Sequence, residues 1–104
     1  MFTNGLTLAQ TERLVVLMEE QAESIQATCK IIRFGFESKH PDGGPTNREA
    51  LEIELGNVLN AVCMLSDADD LDVENIITAA ALKAEVIGQF LKYQDNLNTS
   101  EEKQ

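Results

Sequence analysis

The sequence predicts an all-α fold, a helical bundle of about three main helices per chain, completed by oligomerisation. Three observations predict it. Apolar residues recur at steps of three and four along three long stretches. Two of those stretches open on a Thr followed three residues later by Gln or Glu, the pattern of a capping box. No strand-like alternation and no internal repeat stands out. Residues 1–95 are expected to form a single helical domain, with 96–104 a polar, flexible tail.

The first helix is expected over Leu6 to Phe34. Thr7 and Gln10 supply its capping box, and Gly35 fits its C-terminal stop. Its apolar stripe runs Val15, Met18, Ala22, Ile25, Cys29, Ile32. Leu17, Ala27 and Ile31 lie roughly opposite. A helix apolar on two sides packs on two sides. A second copy of the chain is the simplest second partner, which predicts a homodimer or a tetramer. Residues 35–46 hold three of the six glycines and both prolines and read as the one substantial loop. Thr46 and Glu49 form the second capping box, so helix two begins near Asn47. Its stripe is Leu51, Leu55, Val58, Val62 and Leu65. The acidic turn Ser66 to Asp72 closes it. Helix three is expected from about Val73 to Gln94, with Ile76, Ala80, Ile87 and Phe90 on one face.

Charge and cysteine usage narrow the function classes. Eight basic against 18 acidic residues leave a net charge of −10. Direct binding to nucleic acid or to an anionic membrane is therefore not expected. No apolar run reaches the roughly 18 residues of a membrane span. The opening Met1-Phe2-Thr3-Asn4 lacks the basic region and long apolar core of a signal peptide. Cys29 and Cys63 stand alone within apolar patterns and read as buried free thiols of a reducing cytoplasm. One His, His40, leaves too few soft ligands for zinc and no partner for a catalytic triad. The run Asp67 to Asp72 fails the EF-hand pattern, because Leu71 takes the fifth position and Asp72 replaces the turn glycine. It reads as a capping turn.

The residues that carry chemistry are carboxylates at helical spacing. Glu20 and Glu23 stand three apart, so both lie on one helical face. Glu54 and Asn57 repeat that step on helix two. Two such helices facing each other gather oxygen ligands around a point, as hard divalent cations require. At about 100° per residue, Glu20 falls among Leu17, Ser24, Ala27 and Ile31, where a carboxylate is partly buried and needs a partner or a metal. Glu19 points elsewhere and reads as a plain surface acid. Ala50 and Ala61, beside Glu54 and Asn57, leave room for a ligand. Asn60 continues the three-residue step, either as an amide for a base or sugar or as a surface polar group. Lys83 interrupts the stripe of helix three between Ala80 and Ile87. It either snorkels to water or meets a carboxylate or phosphate. Lys30 and Arg33 either meet phosphates or complement the C-terminus of helix one.

With these residues the chain resembles the MazG-like all-α nucleoside triphosphate pyrophosphatases. That family carries Glu-x-x-Glu on one helix, Glu-x-x-Asp on the next and a basic residue on a following helix. Here the first motif stands in Leu17-Met18-Glu19-Glu20-Gln21-Ala22-Glu23. The second stands in Glu52-Ile53-Glu54-Leu55-Gly56-Asn57-Val58-Leu59. Lys83 falls where the family places its basic residue. The match covers residues 15 to 90, and the compact size resembles small phage or bacterial single-domain members. The resemblance implies hydrolysis of a (deoxy)nucleoside triphosphate to the monophosphate and pyrophosphate with Mg2+, or Mn2+ in its place. It implies Glu20, Glu23 and Glu54 as metal ligands and catalytic residues, with Lys83 as the catalytic and substrate-binding cation. Lys30, Arg33 and Asn60, read from their positions, are the further substrate-binding candidates. Asn57 departs from the family pattern as a neutral fourth metal ligand. The competing expectation is a non-catalytic helical nucleotide-binding or protein-interaction module on the same scaffold.

Overall fold

The computed structural model describes residues 3–94, and the expected tail at 96–104 lies outside them. The elements are three α-helices, α1 Leu8–Phe34, α2 Asn47–Asp67 and α3 Val73–Val86, followed by a 3-10 turn, Ile87–Phe90. The fold is all-α, and no strand occurs among the described residues. No helix among them is long and apolar enough to cross a membrane. The chain falls into two compact units that part between Leu71 and Asp72.

The first unit is a hairpin of α1 and α2. Both helices start on the capping boxes read from the sequence. The Gln10 N–H donates to Thr7 Oγ1 (3.1 Å) and the Thr7 N–H to Gln10 Oε1 (2.8 Å). The Glu49 N–H donates to Thr46 Oγ1 (3.1 Å) and the Thr46 N–H to Glu49 Oε1 (2.9 Å). Each box satisfies two backbone donors that a helix start would otherwise leave open. The Thr46 hydrogen bonds hold the Glu49 carboxyl below its ordinary range. Gly35 ends α1 at φ +90°, a conformation that side chains other than glycine's resist, and its N–H donates to Ile31 O.

Both ends of the hairpin are tied, which makes α1 and α2 antiparallel. At one end Arg13 reaches Asp70 through two hydrogen bonds, Nε–Oδ2 at 2.6 Å and Nη2–Oδ1 at 3.2 Å. At the other, the Asn47 N–H donates to Ser38 O (2.9 Å) and Asn47 Nδ2 to Gly35 O (3.1 Å). The core between them is small: Ala27, Ala61 and Leu65 are its buried apolar residues.

The packed face of α1 is not the expected main stripe. Val16, Leu17, Glu20, Ser24, Ala27 and Ile31 are covered, whereas Met18 (63% exposed), Ile25 (63%) and Ile32 (80%) are open. The small residues explain the choice. Ala27 on α1 and Ala61 on α2 are both buried and let two backbones approach closely, which Met18, Ile25 and Ile32 do not. On α2 the half-buried Leu51, Val58 and Val62 and the buried Leu65 follow the expected stripe, but Leu55 is exposed. Cys29 and Cys63, expected to be buried, are exposed. Each stands two residues, about 200° of helical turn, from a buried alanine.

The acidic turn acts as a cap and a tether. Asp70 holds Arg13, and the Asp72 carboxylate accepts the Glu74 N–H (2.9 Å) at the start of α3. In the second unit α3 has no buried residue and ends at Val86, short of the expected Gln94. The chain tightens into the 3-10 turn around the buried Gly88. Glycine and the β-branched pair Val86–Ile87 both lower helical preference there.

The Arg13–Asp70 pair predicts a pH effect. Its hydrogen bonds hold the Asp70 carboxyl below the usual aspartate range, against the opposing effect of burial. The pair therefore stabilises the fold above the unfolded aspartate value of roughly 3.9 and loses that contribution as pH falls through the lower folded value. Melting curves recorded from about pH 5 down to about pH 2 should show a steep decline that Asp70→Asn flattens. An equally steep decline in Asp70→Asn would assign the acid sensitivity to other carboxylates.

Candidate metal centre

The covered face of α1 carries Glu20 and, at its edge, Glu23. The covered face of α2 carries Asn47, Ala50 and Glu54, spaced so that all three line up over two turns. The antiparallel pairing brings the two sets together. One carboxylate oxygen from each of Glu20, Glu23 and Glu54 lies within 4.8 Å of the other two. Glu20 and Glu54 are half-buried, and Glu23 is exposed.

Such a cluster opposes its own charge. Glu20 Oε2 and Glu54 Oε2 are buried without a hydrogen-bond partner. A hydrogen bond with Glu54 and the charges of Glu20 and Glu54 raise the Glu23 carboxyl above its ordinary range. Buried, unpaired carboxylate oxygens are costly unless a proton or a cation joins them. The donor set is all oxygen and anionic, from three residues, with room for water or a phosphate at the remaining positions. That set suits Mg2+ or Mn2+ and lacks the nitrogen and sulfur that favour zinc. The residues fit a hard divalent cation on two counts: the donor chemistry and the two orphaned oxygens.

A cavity of about 220 Å3 opens beside the cluster. Glu23 and Glu54 line it together with Gln26, Ala27, Lys30, Asn47 and Ala50. Ala50 leaves the expected room for a ligand. Lys30, one turn past Ala27, is among the residues that line the cavity. Arg33 does not line it. The Arg33 guanidinium lies 5.9 Å from the centroid of the Phe34 ring.

Asn57 and Asn60 do not line the cavity. Asn57 is exposed, one turn along α2 from Glu54. Asn60 is exposed, with Nδ2 at 3.9 Å from Met64 Sδ. Lys83 is an exposed residue of α3, in the second unit. Gln26 and Asn47 line the cavity and were not anticipated. Their signal is positional: Gln26 stands three residues after Glu23, and Asn47 seven before Glu54.

No family model, curated protein or solved structure matches the chain.

Proposed function

We propose that this protein is a Mg2+-dependent nucleoside triphosphate pyrophosphohydrolase, releasing pyrophosphate and a (deoxy)nucleoside monophosphate. The observation that carries the reading is the convergence of Glu20, Glu23 and Glu54, with two buried oxygens that no protein donor satisfies. Glu-x-x-Glu on one helix and a further Glu on the next follow the order the MazG-like resemblance implies, with Asn57 standing where that family carries Asp.

Within this reading Glu20, Glu23 and Glu54 would hold the ion, with Asn57 as a neutral fourth ligand. Bound Mg2+ offsets negative charge on the phosphate oxygens, its usual contribution to phosphoryl chemistry. Lys30 meets the phosphate chain from the cavity wall. Asn60 offers an amide to the base or sugar. Ala27 and Ala50 keep the cavity wall low so that a phosphate approaches the carboxylates.

Pyrophosphate release in the presence of Mg2+, measured across the common nucleotides, tests the reading. The parent chain should release pyrophosphate, and Asn57→Asp should release it faster. A carboxylate attracts Mg2+ more strongly than an amide oxygen does. A tenfold gain in rate needs only ~1.4 kcal/mol of transition-state stabilisation. No pyrophosphate from either form would leave the non-catalytic nucleotide-binding module as the better account, a reading that the neutral, exposed Asn57 favours.

The assembly we propose is a homodimer or tetramer. Met18, Ile25 and Ile32 on α1, and Leu55 and Leu59 on α2, are each more than half exposed. Burial of such surface stabilises by roughly 25 cal/mol per Å2, so leaving it open is unfavourable. Sedimentation at micromolar concentration should report two or four copies. A stable, soluble monomer would defeat the expectation.

A further inference from the structure

A second cavity, of about 430 Å3, adjoins the carboxylate cavity, and Lys30 and Asn47 line both. It is formed by the end of α1 and the first half of the 35–46 loop. Its apolar lining comes from Phe34 and Pro41, and its titratable lining from Lys30, Lys39 and His40. No carboxylate lines it, in a chain whose net charge is −10. A pocket free of acidic side chains is therefore a local departure from the charge of the whole molecule.

The loop around it is held in place. Lys39 and Thr46 form an isolated antiparallel bridge, and the Asn47 N–H donates to Ser38 O (2.9 Å). Arg48 pairs with Glu37 (2.7 Å) and lies 4.4 Å from the centroid of the Phe36 ring. The Asp42 N–H donates to His40 Nδ1 (3.1 Å), and the Asp42 carboxylate stands 3.6 Å from the same nitrogen.

We propose that this loop cavity is the nucleoside subsite of the carboxylate centre, with the base against Phe34 and the phosphate chain passing Lys30 toward Glu23 and Glu54. The inference rests on the nucleotide reading given above and names where the nucleoside goes. Size and shared lining support it. The smaller cavity suits phosphates beside the carboxylates but is too small for a whole nucleotide. The larger one is about twice its volume and shares Lys30 and Asn47 with it as lining residues. Chemistry supports it as well. A nucleoside offers a flat apolar face with polar edges. Small-molecule sites match such a ligand with mostly apolar walls and a few placed polar groups. Phe34 and Pro41 supply the walls, and the His40 imidazole and Ser38 supply polar groups for the edges. Lys39 adds positive charge at the rim.

Binding to the full chain with Mg2+, measured for a nucleoside triphosphate and for inorganic tripolyphosphate, tests the subsite. Phe34 is 63% exposed, so Phe34→Ala should leave the fold intact. Loss of base–aromatic stacking should weaken nucleoside triphosphate binding about tenfold or more. Tripolyphosphate binding should stay the same. His40→Ala should change the ranking among the common bases. If the parent chain binds both ligands, Glu54→Gln weakens both, and Phe34→Ala weakens neither, the carboxylate reading stands and the subsite is overturned. If Lys39→Ala weakens both ligands alike while Phe34→Ala is silent, the cavity is a phosphate site, which also overturns it. If the parent chain binds neither ligand, the nucleotide reading itself fails.

Discussion

Glu54→Gln should melt at a higher temperature than the parent chain in metal-free buffer, and at a lower one once Mg2+ is added. The two signs come from one cluster. Without a cation, Glu20, Glu23 and Glu54 repel one another, and Glu54 carries a buried oxygen with no partner. Replacing one carboxylate by an amide removes a charge and adds a donor. With a cation, the same change removes a ligand. Even outer partners of metal ligands cost roughly 10–100-fold in affinity or activity when lost, so a direct ligand should cost about 100-fold or more. Thermal shift with Mg2+ is the measurement, because an ion that binds only the folded state stabilises it. Acid should act on the same site. The Glu23 carboxyl is raised in the fold, chiefly by its hydrogen bond with Glu54 and by its neighbours' charges. Metal-free stability should therefore rise as pH falls through that raised value toward the unfolded glutamate value of roughly 4.3. Mg2+ affinity should decline over the same window. A Glu54→Gln variant with lower metal-free stability and an unchanged Mg2+ response would remove the carboxylate cluster as the ion site.

Leu65→Ala should be the most damaging single truncation for the fold. Leu65 is fully buried, the largest side chain of the small core it shares with Ala27 and Ala61. Its backbone carbonyl also accepts the Asp70 N–H (2.8 Å), which shapes the turn that presents Asp70 to Arg13. Emptying a buried leucine site costs about 2–5 kcal/mol. For a domain of this size that lowers the melting temperature by roughly 10 °C or more. Leu59→Ala, at a position 64% exposed on the same helix, is the control and should cost far less in the isolated chain. Equal losses at both positions would place Leu59 in an interface as well packed as the core.

What was legible in the residues was what short-range chemistry decides. A threonine and an acceptor three positions on satisfy the same backbone donors in any context, so both helix starts fell where the capping boxes stand. A glycine at positive φ ends a helix for a local steric reason, so Gly35 marked the end of α1. The three-residue step from Glu20 to Glu23 set both carboxylates on one face before any partner was known. The neighbours Leu17, Ser24, Ala27 and Ile31 correctly indicated that Glu20 is covered. The acidic run ending at Asp72 read correctly as a cap.

The tertiary structure decided which stripe of α1 meets α2. Periodicity ranked the Met18–Ile25–Ile32 stripe first because its side chains are larger. The hairpin instead covers the face with Ala27, because close approach of two helices rewards small residues at the contact as well as bulk. The same choice left Cys29 and Cys63 exposed. The loop cavity was also beyond a linear reading. Lys30 and Phe34 belong to a helix and Lys39 and His40 to a loop, and only the fixing of the loop against the start of α2 sets them around one space. Local sequence determines where helices begin, where they end and which residues share a face. Which faces meet depends on contacts between residues far apart in the chain, whose energies no local pattern contains.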